Sequence, residues 1–327
     1  MKILQVIPKL GYGGAETGCY DLAHFLYEKD CKSFIITSGG QLLKYVKKNK
    51  VKIFRLPVHS KNIILMLFNT LIISLIVLIY NIDVVHARSR APAWSCLWVC
   101  FLTRRKFVTT FHGTYNFSNA FKKFYNSVMV KSKLIIAGSN FIFNHINENY
   151  EKFLDSKNKL MVIFRGINLE YFDEGNITDN KRKKLISDWN LDLEKKTILL
   201  PGRLTSWKGQ NILIEALNIL IEDYNKTNFQ AIILGSDQGR KIYSKKLFSL
   251  VERYQLNQKV RFITHAKDMP VAYSVADIVV SSSIEPEAFG RVAVEAQAMK
   301  KPIVASDIGG SKETVLHEKS GILYKAG

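Results

Sequence analysis

The 327 residues predict an α/β protein of two doubly wound domains, and three observations carry that expectation. Short apolar runs rich in β-branched residues alternate with helix-length segments, which is the pattern of parallel strands covered on both faces. The alternation stops at a polar, charged stretch and then restarts. Glycine-bearing loops follow the first strand of each half, at the carboxyl ends where α/β proteins place their ligands.

In chain order, the first strands are expected at 3–7 (ILQVI), 33–37, 51–55, 83–86, 107–111, 133–137 and 160–164. The charged stretch NITDNKRKKLISDWNLDLEKK, 176–196, contains no strand and marks the boundary. The expected division is a domain over 1–170, a linker over 171–196 and a second domain over 197–327. Its strands are expected at 197–201, 229–234, 259–264, 277–281 and 302–306. Between the first two of these, Ile212, Leu213, Ala216, Leu217 and Leu220 recur at helical spacing and form one apolar stripe. Two such domains in tandem are expected to face a central cleft between the carboxyl ends of their sheets.

The net charge of +19 is unevenly spread. Residues 1–165 hold 24 Lys and Arg against 8 Asp and Glu, or +16, whereas residues 166–327 hold 23 against 20, or +3. A basic first half suits an anionic partner, such as a membrane surface or a phosphorylated lipid or saccharide. Nucleic acid is excluded as the partner. Few aromatics interleave with the basic runs TRRK (103–106) and FKKFY (121–125), and no recognition motif is present. Cys19, Cys31, Cys96 and Cys100 have neither paired CxxC spacing nor a nearby His cluster, which argues against a zinc site or a disulfide framework. A reducing cytoplasm is the expected compartment, and MKILQVIPKL reads as a strand rather than a cleavable signal. The 18 uncharged residues IILMLFNTLIISLIVLIY, 63–80, approach the length of a membrane span. Asn69, Thr70 and Ser74 interrupt them and a buried strand follows at once, so the expectation is a helix packed in the domain or lying on a membrane.

Three loops carry chemistry. In PKLGYGGAETG, 8–18, Gly11, Gly13 and Gly14 let the backbone approach a ligand, and the following helix aims free N–H groups at it. The spacing is not GxGxxG and no acid closes the second strand, so a dinucleotide site is not expected. Glu16 in that loop would repel a phosphate unless it faces another substrate. In PGRLTSWKGQ, 201–210, Arg203 offers a planar fork and Lys208 a point charge, both suited to the oxygens of a diphosphate. In SIEPEAFGRVAVEAQA, 283–298, Pro286 and Gly290 place the helix start near Phe289 or Gly290. Glu287 then lies in the loop, Glu295 inside the helix, and the amides of Ala288, Phe289 and Gly290 are free to bind an anion or a hydroxyl. The plainer reading of Glu295 is a structural acid bonded within the fold.

Seven segments in order resemble the GT-B glycosyltransferases, in particular the large retaining family 4 (glycosyl transferases group 1) of many bacterial lipopolysaccharide, capsule and phosphoinositol glycosyl- and mannosyltransferases. They are GGAE (13–16), VHARSRAPAW (85–94), TTFHG (109–113), RGINLEYF (165–172), GRLTSWKG (202–209), EPEAFGRVAVEA (285–296) and GGSKETV (309–315). The resemblance implies that the first domain binds the acceptor and the second the nucleotide sugar. It makes Glu287 similar to the first acid of the family's E-x7-E pair, against hydroxyls of the donor sugar, and Glu295 to the second, on the ribose. Arg203 and Lys208 would neutralise the departing diphosphate, and Gly14 would add backbone donors. His112 falls where the family keeps a residue close to the reacting centre, and Arg88 and Arg90 with Glu16 could grip an anionic acceptor.

What this implies is retaining transfer of a hexose to a glycolipid or saccharide, in lipopolysaccharide or other cell-envelope glycan synthesis, by an enzyme peripheral on the cytoplasmic face of the inner membrane. No cofactor or metal is expected, and no D-x-D sequence occurs in the chain. Phe164 stands where the family often has proline, and Thr264 where glycine is frequent. The chain stops at SGILYKAG, short of the family's closing helices. The alternative expectation is therefore a truncated, non-catalytic remnant that binds nucleotide or a partner.

Overall fold

A computed structural model describes residues 1–326, in two compact units that divide between Arg165 and Gly166. The first unit has seven strands, β1 (Lys2–Val6), β2 (Lys32–Thr37), β3 (Val51–Arg55), β4 (Val84–Ala87), β5 (Lys106–Phe111), β6 (Leu134–Ala137) and β7 (Lys159–Val162). They form one sheet in the order β3-β2-β1-β4-β5-β6-β7, and the pairing is parallel throughout. Its helices are α1 (Gly14–Glu28), α2 (Ile63–Ile79), α3 (Arg90–Thr103), α4 (Ala120–Asn126) and α5 (Asn140–Tyr150). A sheet buried on both faces needs continuously apolar strands, and four of the five residues of β1 are buried. The chain reverses direction across the sheet between β3 and β4. Right-handed crossovers therefore put α2 and α3 together on one face, where they pack side by side.

Helix α2 is capped by Asn62, whose side chain accepts from the amides of Ile64 and Leu65 at 2.9 and 3.3 Å. Met66, Asn69, Thr70, Ile73, Ile76 and Val77 form its buried face. The polar residues that interrupt the apolar run are used there: Asn69 donates to Pro57 O at 3.2 Å and Thr70 to Met66 O at 2.8 Å. Among the described residues, no helix is long and apolar enough to cross a membrane.

The second unit holds α6 (Asp179–Asp188), β8 (Lys196–Pro201), α7 (Gln210–Glu222), β9 (Phe229–Leu234), α8 (Lys241–Arg253) and β10 (Val260–Ile263). It continues through α9 (Met269–Ser274), β11 (Ile278–Ser281), α10 (Arg291–Ala298), β12 (Ile303–Ser306), α11 (Ser311–Thr314) and β13 (Ile322–Tyr324). The strands form a parallel sheet in the order β10-β9-β8-β11-β12-β13. The stripe expected between its first two strands is α7, which buries Leu213, Ile214 and Leu217.

Two expectations change. Residues 171–196 are not a free linker, because Phe172, Trp189 and Leu191 are buried in the second unit's core with Leu199, Tyr273 and Met299. The stretch is polar on average, but its buried anchors flank α6, Phe172 before it and Trp189 and Leu191 after it, and fasten it. The unit accordingly begins at Gly166 rather than at 171 or 197. The second change is β13, three residues in a turn-rich tail, which pairs with β12 through Val304, Ala305 and Ser306.

Candidate active site

The second unit gathers its chemistry at the carboxyl ends of β8 and β11. After β8, residues Ser206–Lys208 make one 3-10 turn that ends on Gly209 at φ +64°. A Cβ at Gly209 would lie 1.9 Å from Ser282 O, so only glycine lets this loop close on the strand beside it. Ser282 then donates to Gly209 O at 2.8 Å, and Ile284 N to Trp207 O at 2.8 Å. The loop after β8 is thus stitched to the loop after β11. One consequence is a contact between residues 79 positions apart: Lys208 Nζ donates to Glu287 Oε1 at 2.6 Å, with about a tenth of each side chain exposed.

The same carboxylate oxygen accepts from Ser283 Oγ at 2.5 Å and from Ser281 Oγ at 3.4 Å. Burial pushes the Glu287 carboxyl up, but the Lys208 charge and the hydrogen bonds from Lys208, Ser283 and Ser281 together hold it below its ordinary value. Glu287 is therefore ionised at neutral pH. Its backbone is held as well, since Gly310 N donates to Glu287 O at 2.8 Å. Lys208 Nζ also lies 4.7 Å from the centre of the Trp207 ring. Arg203, on the same loop, is exposed, and its guanidinium has no partner among the described residues.

Helix α10 begins at Arg291, after Gly290 at φ +83°. Glu287 lies in the loop and Glu295 in the helix, as the proline and glycine positions imply. The amides of Phe289 and Gly290 donate to no protein group among the described residues, whereas Ala288 already takes part in an interaction. Glu295 is only 8% exposed and both its oxygens are engaged, one by Arg291 Nε at 2.6 Å and the other by Tyr273 OH at 2.8 Å. A ribose hydroxyl would have to share those bonds.

The first unit has its own cluster at the carboxyl ends of β1, β4 and β5. Arg88, directly after β4, is 5% exposed; its Nη1 donates to Gln5 Oε1 at 3.1 Å, and its Nε has no partner among the described residues. Gln5 is fixed in turn by donating to Cys19 O at 3.1 Å. Arg165 donates to Gly14 O. A Cβ on Gly18 would stand 2.7 Å from an Arg165 nitrogen and 3.3 Å from an Arg88 nitrogen, so the two guanidinium groups converge over that glycine. Gly138 leaves room for the Arg165 stem.

His112 lies within reach of the Arg88 and Arg165 charges, and among the described residues neither of its ring nitrogens is hydrogen-bonded. Burial, and then the charges of Arg88 and Arg165, push its imidazole well below the ordinary value, so it is neutral. Glu16 sits in the first turn of α1 and its carboxylate curls back over Gly13, the residue that caps the helix. An acid in the first turn is favoured by the helix dipole. Arg90, two residues after Arg88, has partners of its own. It donates to Asn126 Oδ1 at 2.9 Å and stacks 4.5 Å from the Tyr115 ring, which makes it a brace for the loop after β5.

Arg165 was not among the residues that sequence reasoning singles out. The signal for it was Gly18, a glycine inside a helix with no turn to make, whose place is explained by a close neighbour.

Among known proteins, the Glycosyltransferase Family 4 model matches residues 12–171 and the Glycosyl transferases group 1 model matches residues 181–327. A glycosyltransferase crystal structure from Rickettsia africae ESF-5 is 39% identical with a TM-score of 0.87, over 100% of this chain and 84% of that one. HepE from Anabaena, solved with UDP and glucose, is 25% identical with a TM-score of 0.82, over 100% of this chain and 86% of that one. The D-inositol 3-phosphate glycosyltransferase of Corynebacterium urealyticum is 33% identical over 183 residues, 54% of this chain and 41% of the relative. The chain therefore aligns with less than half the length of that curated relative. The two units, their sheet orders and the two family matches converge: the chain belongs to family 4 of the GT-B glycosyltransferases.

Proposed function

We propose that the protein is a retaining, metal-independent glycosyltransferase that moves a hexose from a nucleoside diphosphate sugar to a glycolipid or saccharide acceptor in cell-envelope glycan synthesis, lipopolysaccharide included. The observation that carries this reading is the buried Lys208–Glu287 pair at 2.6 Å. It lies at the carboxyl ends of the central strands β8 and β11, with the Arg203 guanidinium and the Phe289 and Gly290 amides nearby, none of which has a partner among the described residues.

In the transfer, the bond from the anomeric carbon to the β-phosphate oxygen breaks, and a bond to an acceptor hydroxyl oxygen forms. The acceptor hydroxyl's proton passes to the departing phosphate oxygen, and nucleoside diphosphate leaves. Negative charge grows on the departing phosphate, where Lys208 and Arg203 offer fixed positive charge. Glu287, ionised and held by Lys208, accepts hydrogen bonds from sugar hydroxyls and does not supply a proton. In the first unit, Arg88, Arg165 and neutral His112 suit an acceptor that carries both an anionic group and a hydroxyl. No three His, Cys, Asp or Glu side chains among the described residues form a metal-holding group. The cations of the β8 loop are the groups proposed to act in place of a divalent ion.

The basic first domain and a lipid-linked acceptor support a position on the cytoplasmic face of the inner membrane. The test is nucleoside diphosphate release from UDP-, GDP- and ADP-sugars with lipid acceptors, in the presence of EDTA. Turnover by the native chain and its loss in Glu287→Ala, with the fold retained, is the expected result. Neither turnover nor donor binding by the intact chain would overturn the proposal.

A further inference from the structure

Helix α2 carries 17 residues without a charge, and only one of its faces is used by the fold. The opposite face presents Ile64, Leu67, Leu71, Leu75 and Leu78 at helical spacing, more than half of each exposed and Ile64 72%. The apolar surface continues onto the last turn of α3, where Phe101 is 83% and Leu102 61% exposed. Arg105, just beyond that turn, donates to Asn81 Oδ1 at 2.8 Å and so ties the ends of α2 and α3 together. A contiguous apolar face of this size is unusual on a protein that meets only water.

Cations stand at both ends of the helix. Lys2 donates to Tyr80 O at 2.9 Å and Lys52 to Tyr80 OH at 2.7 Å, beside Arg105 at the carboxyl end. Lys61 precedes the Asn62 cap at the other end. The helix thus has an apolar face framed by basic residues and itself carries no acid. Charge decides between occupants. A second copy of the chain would bring another +16 unit against this one, whereas an anionic bilayer takes up the apolar stripe and attracts the cations.

We propose that the outer face of α2 is a membrane-docking surface that lies in the plane of an anionic bilayer. Ile64, Leu67, Leu71, Leu75 and Leu78 sit at the acyl boundary, while Lys2, Lys52, Lys61 and Arg105 reach the headgroups. At about 1.5 Å per residue the helix offers an in-plane anchor about 25 Å long. The inference rests on the glycosyltransferase reading in one respect, that a lipid-linked acceptor brings the protein to a bilayer.

The test is flotation of the full chain with vesicles of phosphatidylcholine alone and of phosphatidylcholine mixed with phosphatidylglycerol. The native chain is expected to float with the anionic vesicles, and the double variant Leu71→Glu, Leu75→Glu to partition at least ~10-fold less. Both positions are exposed, so its melting temperature should not change. Its melting shift with nucleoside diphosphate should not change either, which separates failure of this inference from failure of the proposed activity. On the native chain, hydrogen exchange over 63–79 should slow when anionic vesicles are added. Unchanged flotation of the double variant, or unchanged exchange over 63–79, overturns the proposal. So does a native dimer that the double variant converts to a monomer while no vesicles bind.

Discussion

Lys208 and Glu287 exchange a 2.6 Å hydrogen bond with little water around them, and removing one partner strands the other as a buried charge. Lys208→Met should therefore destabilise the second unit by about 3–5 kcal/mol. The double variant Lys208→Met, Glu287→Met should recover most of that loss, because no charge is then left unpaired. Urea unfolding of the three variants checks both outcomes. His112 has the opposite pH logic to a paired histidine. Its folded value is depressed, so its contribution is fully present above the unfolded value of about 6.5 and is lost as pH falls below it. The unfolded chain takes up the proton that the folded imidazole refuses. His112→Asn should flatten the decline of melting temperature between about pH 6.5 and 5. His86, also buried and depressed by burial and by Arg88, should retain part of the slope. The loop positions of Lys208 and Glu287 were readable from sequence because Gly209 and Pro286 beside them mark the turns. The contacts of Arg90 with Tyr115 and Asn126 were not readable, because those partners are distant in sequence.

At the scale of elements, alternation of apolar runs located twelve strands to within about two residues, since a parallel strand buried on both faces leaves a dense apolar signature. The signal fails where that density is missing. β13 has three residues, of which none is buried, and α6 buries none of its own residues and is held by Trp189 and Leu191 just past its end. Loops were readable when glycine geometry was forced. Gly209 joins the 3-10 turn to α7 in the left-handed conformation, against Ser282 O. Gly209→Ala adds a Cβ that strains the backbone and collides with that carbonyl. It should destabilise the protein by at least ~2 kcal/mol and weaken donor binding by displacing Lys208. An alanine at Gly239, which has positive φ and open space around it, should lower stability without affecting binding. Paired melting curves, with and without nucleoside diphosphate, separate the two effects.

Across the whole molecule, charge divides where the chain divides: +16 lies in residues 1–165 and +3 in the rest. A diphosphate attracted only by net charge would collect on the first unit. The geometry argues otherwise, because the second unit offers a fork at Arg203, a fixed ammonium at Lys208 and two unused amides at Phe289 and Gly290. Local arrangement outweighs net charge at contact distance, since solution screens charges beyond about 8 Å at physiological salt. Nucleoside diphosphate should therefore slow hydrogen exchange chiefly over 201–209 and 283–291. The effect should survive raised salt and weaken in Lys208→Met. If the field of the first unit governed binding instead, the slowing would fall on 13–18 and 88–90 and vanish as salt increases. The position of the protected peptides thus decides whether the donor is held by a built site or by the basic surface.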